Sequence, residues 1–170
     1  MPLRLLLAAL ALTAVAACDS GPAIDPPTPA DVAGIYDIGT LTFTPDATAL
    51  GPVDVTDDLV LAESFVELLD SGQAVLRFRR EGTGTTTRLV TGEFDVRRLE
   101  LRVTFSAGNE AALGRVLLPQ VLTFTRSGDD ALSLSIDRTA NLAAYDADRY
   151  SGFTAVDGTL AVALNRRSGS

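Results

Sequence analysis

The chemistry open to this chain is bounded by the side chains it lacks. Its 170 residues include no histidine, no lysine and one cysteine, Cys18. Without imidazole there is no Ser-His-Asp or Cys-His relay, no usual zinc ligand set and no histidine ligation of haem. Without lysine, Schiff bases and Ser-Lys pairs are excluded. No phosphate-binding Gly-x-x-x-x-Gly-Lys or Gly-x-Gly-x-x-Gly segment occurs. Carboxylates remain, 22 of them with 14 arginines, and a pair could in principle cleave a glycoside. With so many, some pair always lies close, so solvated surface is the expectation. Asp54, Asp57 and Asp58 form the densest acidic cluster, and Asp129-Asp130 the next. Either could bind calcium loosely through oxygen, but neither has EF-hand spacing, and turn geometry alone accounts for Asp129-Asp130 after Gly128. The expectation is a protein with no catalytic residue, no metal and no cofactor.

Cys18 carries a different kind of chemistry. It follows Leu5–Ala17, a run of about thirteen residues without charge behind Arg4, too short to span a bilayer as a helix. Val15-Ala16-Ala17-Cys18 resembles the lipobox of bacterial lipoproteins. The resemblance implies that residues 1–17 are a signal peptide, that Cys18 is lipidated, and that acyl chains hold the protein to an envelope membrane facing the periplasm or the exterior. Several chains at about 0.8 kcal/mol per buried methylene anchor firmly, where one binds marginally. The other reading is a secretory signal cut after Ala17 without lipidation. Asp19 after the cysteine favours inner-membrane retention by the enterobacterial sorting rule, which does not extend to every bacterial group.

Without the signal peptide and its Arg4, 13 arginines face 22 acidic residues, a formal charge of −9. So acidic a surface argues against nucleic acid and against direct adhesion to anionic headgroups. Residues 18–31 contain Pro22, Pro26, Pro27 and Pro29 among small and acidic residues, the composition of an extended tether. One folded domain is expected over 32–166, with 167–170 as a tail.

Within that domain the apolar period is two. Leu41 and Phe43 alternate with threonines, as do Phe94 and Val96 with Glu93 and Asp95. Leu99, Leu101, Val103 and Phe105 follow, then Leu132, Leu134 and Ile136, then Leu160, Val162 and Leu164. Each pattern predicts a strand with one buried face. Turns are expected at Asp70-Ser71-Gly72, joining Phe65–Leu69 to Ala74–Phe78, at Glu81–Gly84 before Thr86–Thr91, and at Ser127–Asp130 between Val121–Thr125 and Leu132–Ile136. A two-residue turn at Arg97-Arg98 predicts Val96 opposite Leu99, Phe94 opposite Leu101, Glu93 opposite Arg102 and Asp95 opposite Glu100. Glu110–Leu113 reads as a helical turn. Asn141–Tyr150 reads as a short helix or Ω-like loop, with Asp146, Asp148 and Arg149 capping it and pairing with each other. Leu59–Leu69 is ambiguous between strand and a helical turn near Glu63.

Eight to ten short antiparallel strands with short turns predict an all-β, up-and-down barrel, with a two-sheet sandwich as the alternative. Gly34-Ile35-Tyr36, Gly92-Glu93-Phe94-Asp95-Val96 with Leu99-Glu100-Leu101, and Gly158-Thr159-Leu160 with Leu164 and Arg166 resemble bacterial lipocalin-like lipoproteins of the calycin plan. The resemblance spans roughly residues 32–166 and implies a barrel with a short helix before its last strand. Tyr36 stands where lipocalins carry tryptophan. Of the inward aromatics Phe43, Phe65, Phe78, Phe94, Phe105 and Phe124, most should be core. Phe43, Phe78, Phe94, Leu101, Phe105 and Phe124 are the candidate lining of a cavity for a lipid or other apolar molecule. Arg77, Arg79, Arg80, Arg88, Arg97, Arg98 and Arg102 form a basic stripe. It is expected to pair with Glu81, Glu93, Asp95 and Glu100, or else to dock an acidic partner. Two functions follow as expectations. One is a tethered binding module holding an apolar ligand. The other is an interaction lipoprotein with a filled core that docks an envelope protein.

Overall fold

The computed structural model describes residues 26–82, 86–128 and 130–168. Cys18, the expected signal peptide, most of the expected proline-rich tether, Thr83 and Gly84 of one expected turn, and Asp129 lie outside the described residues.

The chain is a closed antiparallel barrel of eight strands with one short extra strand. In order these are β1 (Gly34–Pro45), β2 (Val53–Asp54), β3 (Phe65–Leu68), β4 (Gln73–Phe78), β5 (Arg88–Val96), β6 (Glu100–Phe105), β7 (Val121–Ser127), β8 (Ala131–Ala140) and β9 (Val156–Arg166). Sequential neighbours pair from β3 to β9, and β1 closes the ring by pairing with both β3 and β9; β2 adds two residues to its far end. This is the up-and-down barrel that the period-two patterns predict. Closure leaves no free edge among the eight.

Alternation places the core. Leu41, Phe43, Leu76, Phe78, Leu101, Val103, Phe105, Leu160 and Leu164 all point inward and are buried. Two glycines allow the strands to coil tightly enough to close. A Cβ on Gly92 would stand 2.7 Å from Phe105 Cα, and one on Gly158 would stand 2.8 Å from Pro45 Cα. Only a residue without a side chain permits these backbone approaches.

The two barrel ends differ. The hairpin end holds the tight β3–β4, β5–β6 and β7–β8 connections. It also holds a helical turn, α1 (Pro29–Val32). Pro29 opens α1, and the Thr28 backbone N–H donates to Asp31 Oδ2 at 2.6 Å. Regular structure therefore begins three residues before the expected Val32, and the last expected tether residues are helical. The opposite, loop end collects the four long connections, 46–64, 79–87, 106–120 and 141–155. They carry two single 3-10 turns (Thr56–Asp58 and Leu61–Glu63), α2 (Glu110–Gly114) and α3 (Leu142–Tyr145). The helical turn at Glu110, the short helix before the last strand and the turn near Glu63 match the sequence reading. Asn141 caps α3, its side-chain oxygen accepting from the Ala144 N–H at 2.9 Å.

The β5–β6 register corrects an expectation. Val96 faces Leu101, Asp95 faces Arg102 and Phe94 faces Val103. Arg97 and Glu100 exchange backbone hydrogen bonds around a turn whose tip is Arg98-Leu99. The shift is two residues, so every side chain keeps its face, but Asp95 now opposes a cation instead of Glu100. Leu99 leaves the core pattern and is 66% exposed at the tip. Phe65 is the second correction: it faces outward, with the Arg77 and Arg167 guanidinium groups 5.7 Å and 5.4 Å from its ring centre. In addition, β5 runs unbroken through Gly92, where two separate runs were read.

Candidate functional site

All six candidate lining residues point inward and are buried: Phe43, Phe78, Phe94, Leu101, Phe105 and Phe124. Among the described residues they enclose no ligand-sized chamber, and Phe105 and Phe124 alone of the six border the space at the barrel centre. The free space at the barrel centre is about 20 Å³, bounded by Phe105, Phe124 and aliphatic side chains such as Leu41, Leu76 and Val162. That is room for about one water, and the walls offer it no polar partner. Tyr36 fills the hairpin end, fully buried, with its hydroxyl donating to the Val32 carbonyl at 2.9 Å. Arg166, opposite Tyr36 in register, lies across Gly34 and donates to the Ala33 carbonyl.

The polar groups gather at the loop end. Asp58, from the first 3-10 turn, accepts from Arg149 Nη1 at 2.9 Å, from Arg80 Nη2 at 3.3 Å and from the Tyr145 hydroxyl. Arg80 stacks over the Tyr145 ring at 4.2 Å and donates to the Tyr145 carbonyl. Asp146 lies 3.9 Å from Arg80 and 3.8 Å from Arg149, and its Oδ1 accepts from the Asp148 and Arg149 N–H groups. Two carboxylates thus meet two guanidinium groups. Burial, and then the hydrogen bond to Asp58, raise the Tyr145 pKa from its ordinary value, so the phenol stays protonated as a donor. Neither feature supplies an activated nucleophile or base; the cluster clamps α3 to the first 3-10 turn and to the connection after β4. Asp58 belongs with Asp54 and Asp57 to the densest acidic run of the sequence, where no metal was expected. Its carboxylate is committed to these partners, and Asp54 Oδ1 accepts from the Thr56 N–H at 2.9 Å. Among the described residues, no three acidic side chains converge on a metal-sized space.

An open groove of about 310 Å³ runs beside α2 and α3. Its polar walls are already engaged. Gln120 donates to the Phe105 carbonyl, Arg138 to the Leu117 carbonyl at 2.8 Å, and Glu110 accepts from the Gly108 N–H. Leu117 has φ +54°, alone among the described non-glycine residues in a positive-φ conformation. It ends α2 with a Schellman pattern, its N–H donating to Gly114 and that of Leu118 to Leu113. Left-handed backbone costs a leucine about 1–2 kcal/mol. Complete burial of its side chain offsets this.

The basic stripe divides. Arg79 pairs with Glu63 through two nitrogens, at 2.7 and 2.8 Å, and not with Glu81; this holds the Glu63 carboxyl below its ordinary pKa. Arg102 opposes Asp95. Arg80 turns into the loop-end cluster, while Arg97 and Arg98 sit at the far hairpin. A third grouping was not foreseen. Arg80 and Arg88 meet Arg115, which follows α2, around a pocket of about 70 Å³ completed by Phe78 and Thr86. Nothing in the local sequence of Arg115 signalled this, because the 106–120 connection has no periodicity that fixes its path.

No family model matches the chain, and no curated protein matches it. A solved structure of an uncharacterized protein from Bacteroides eggerthii is similar at 16% identity, covering 80% of this chain and 99% of that one, with a TM-score of 0.38.

Proposed function

We propose that this chain is a membrane-tethered, lipocalin-like lipoprotein of the cell envelope, without enzymatic activity, that acts as an interaction module through its outer surface. The observation that carries the reading is the filled barrel. A drug-sized apolar ligand needs roughly 300 Å³ or more, against about 20 Å³ inside this one. Of the two expectations drawn from the sequence, this favours docking of an envelope partner over an apolar ligand in the barrel. The absence of histidine and lysine, and the mutual neutralisation of the loop-end cluster, support a non-enzymatic role.

The tether rests on Val15-Ala16-Ala17-Cys18. Because β1 leaves α1 at the hairpin end, an anchor on Cys18 would bring that end toward the membrane and leave the loop end free for a partner. Two measurements test the proposal. Cys18→Ala is expected to release the protein into the soluble fraction, and undiminished membrane association would refute the anchor. Native mass spectrometry of protein from its own host is expected to show the lipidated chain without a further small molecule. A co-purifying apolar mass, displaced when Phe105 is changed to a charged residue, would return the ligand reading to first place.

A further inference from the structure

We propose that the loop-end pocket formed by Arg80, Arg88 and Arg115 binds a phosphate group. The three come from separate segments: the connection just after β4, the start of β5 and the residue after α2. With Thr86 and Phe78 they line about 70 Å³, and no carboxylate is among the described lining residues. This is unusual for a chain with formal charge −8. Three other arginines take acidic partners: Arg79 pairs with Glu63, Arg149 with Asp58, and Arg167 with Asp37. Arg80 is held in place by Asp58 and the Tyr145 carbonyl. Neither Arg88 nor Arg115 makes an ion pair or side-chain hydrogen bond among the described residues.

Arg88 and Arg115 are exposed; like charges around one space repel, and an anion between them turns that repulsion into attraction. Guanidinium groups suit that anion because their donors fork onto two oxygens at once. The Thr86 hydroxyl supplies a further donor, and Phe78 forms an apolar wall that strengthens the electrostatic attraction. The volume accepts one tetrahedral oxyanion and leaves any organic remainder in solvent. Two arginines uncompensated by carboxylates match the charge of a phosphate dianion better than that of a carboxylate. The source is either free phosphate or a phosphomonoester on a larger molecule. This inference does not depend on the lipid anchor or on the docking reading.

The test uses the full chain in detergent at low ionic strength, with calorimetric titration of inorganic phosphate, methyl phosphate and acetate. Inorganic phosphate is expected to bind at one site and acetate at least tenfold more weakly. Methyl phosphate binding as tightly as inorganic phosphate identifies a monoester on a larger molecule. Methyl phosphate binding tenfold more weakly identifies free phosphate. R88Q/R115Q is expected to weaken phosphate binding at least tenfold, while R97Q/R98Q, at the opposite end, leaves it unchanged. Without phosphate, R88Q/R115Q is expected to melt no lower than the parent, because it relieves repulsion. No saturable phosphate binding, equal acetate binding, or undiminished binding by R88Q/R115Q would overturn the site. So would a lower melting temperature for that variant, because it would assign these arginines a structural role.

Discussion

Tyr145 shows how a single residue sets the behaviour of the loop end. Its hydroxyl donates to Asp58, its carbonyl accepts from Arg80, and its ring lies under that same guanidinium. Burial and the Asp58 hydrogen bond raise its pKa above the ordinary phenol value of 10.0. The sign follows directly. A group whose folded pKa is raised binds its proton more tightly when folded, so its contribution is complete below the unfolded value. It is lost as pH climbs from about 10 toward the folded value. Tyr145→Phe is therefore expected to destabilise the protein by about 1–3 kcal/mol at pH 7, since Asp58 loses a donor. It should also flatten the decline of stability above pH 10. Thermal unfolding between pH 7 and 11 checks both, and an unchanged alkaline slope would contradict the assignment. None of this was legible in the sequence. Tyr145 stands 87 residues from Asp58 and 65 from Arg80. The segments carrying all three are connections, where no hydrophobic period predicts a path. What could be read was local: a short helix or Ω-like loop over Asn141–Tyr150, with Asp146 and Arg149 close enough to pair.

At the scale of elements, alternation places faces but fixes register only to within steps of two. The β5–β6 hairpin makes the point. The faces of Phe94, Val96, Leu101 and Val103 follow from the pattern, whereas the partners depend on where the turn falls. Arg98-Leu99 forms the tip with neither residue at positive φ, although two-residue hairpins favour turns with positive φ at both positions. Arg98→Asn with Leu99→Gly is expected to supply that geometry, remove an exposed leucine and stabilise the protein by about 1 kcal/mol. Denaturant unfolding with an unchanged m-value would register the gain; a loss would show that the present turn already suits the strand twist. The strand glycines act in the opposite sense. Gly158→Val would drive a side chain into the β1 backbone at Thr44 and Pro45. It is expected to cost about 3 kcal/mol or more, read as a lower urea midpoint. The same alternation that revealed the strands could not show this need, because a glycine in a strand pattern signals a bend without naming the backbone it meets.

For the whole molecule, the asymmetry of the ends matters most. The hairpin end is sealed by Tyr36, α1 and tight turns, while the loop end carries the Asp58 cluster, the groove beside α3 and the arginine pocket. The up-and-down barrel could be read from turn spacing and strand count. Whether its interior was open could not, because filling depends on how far the strands coil and how Tyr36 and the loop-end leucines close the ends. Six inward side chains were identified correctly as a group, yet that list alone describes a cavity and a packed core equally well.

The placement of β1 has a mechanical consequence. Its twelve residues run from the hairpin end to the loop end, bonded along one edge to β3 and β2 and along the other to β9. Pulled by its N-terminal end against a grip at the loop end, β1 is loaded along its own axis. The hydrogen bonds of an antiparallel ladder lie across that axis, so they bear the force together, in shear. Pulled apart by residues 34 and 166, which lie at the same end, the same ladder opens like a zipper, one pair at a time. The barrel is thus strong toward a load at its loop end and weak toward one that separates its two chain ends.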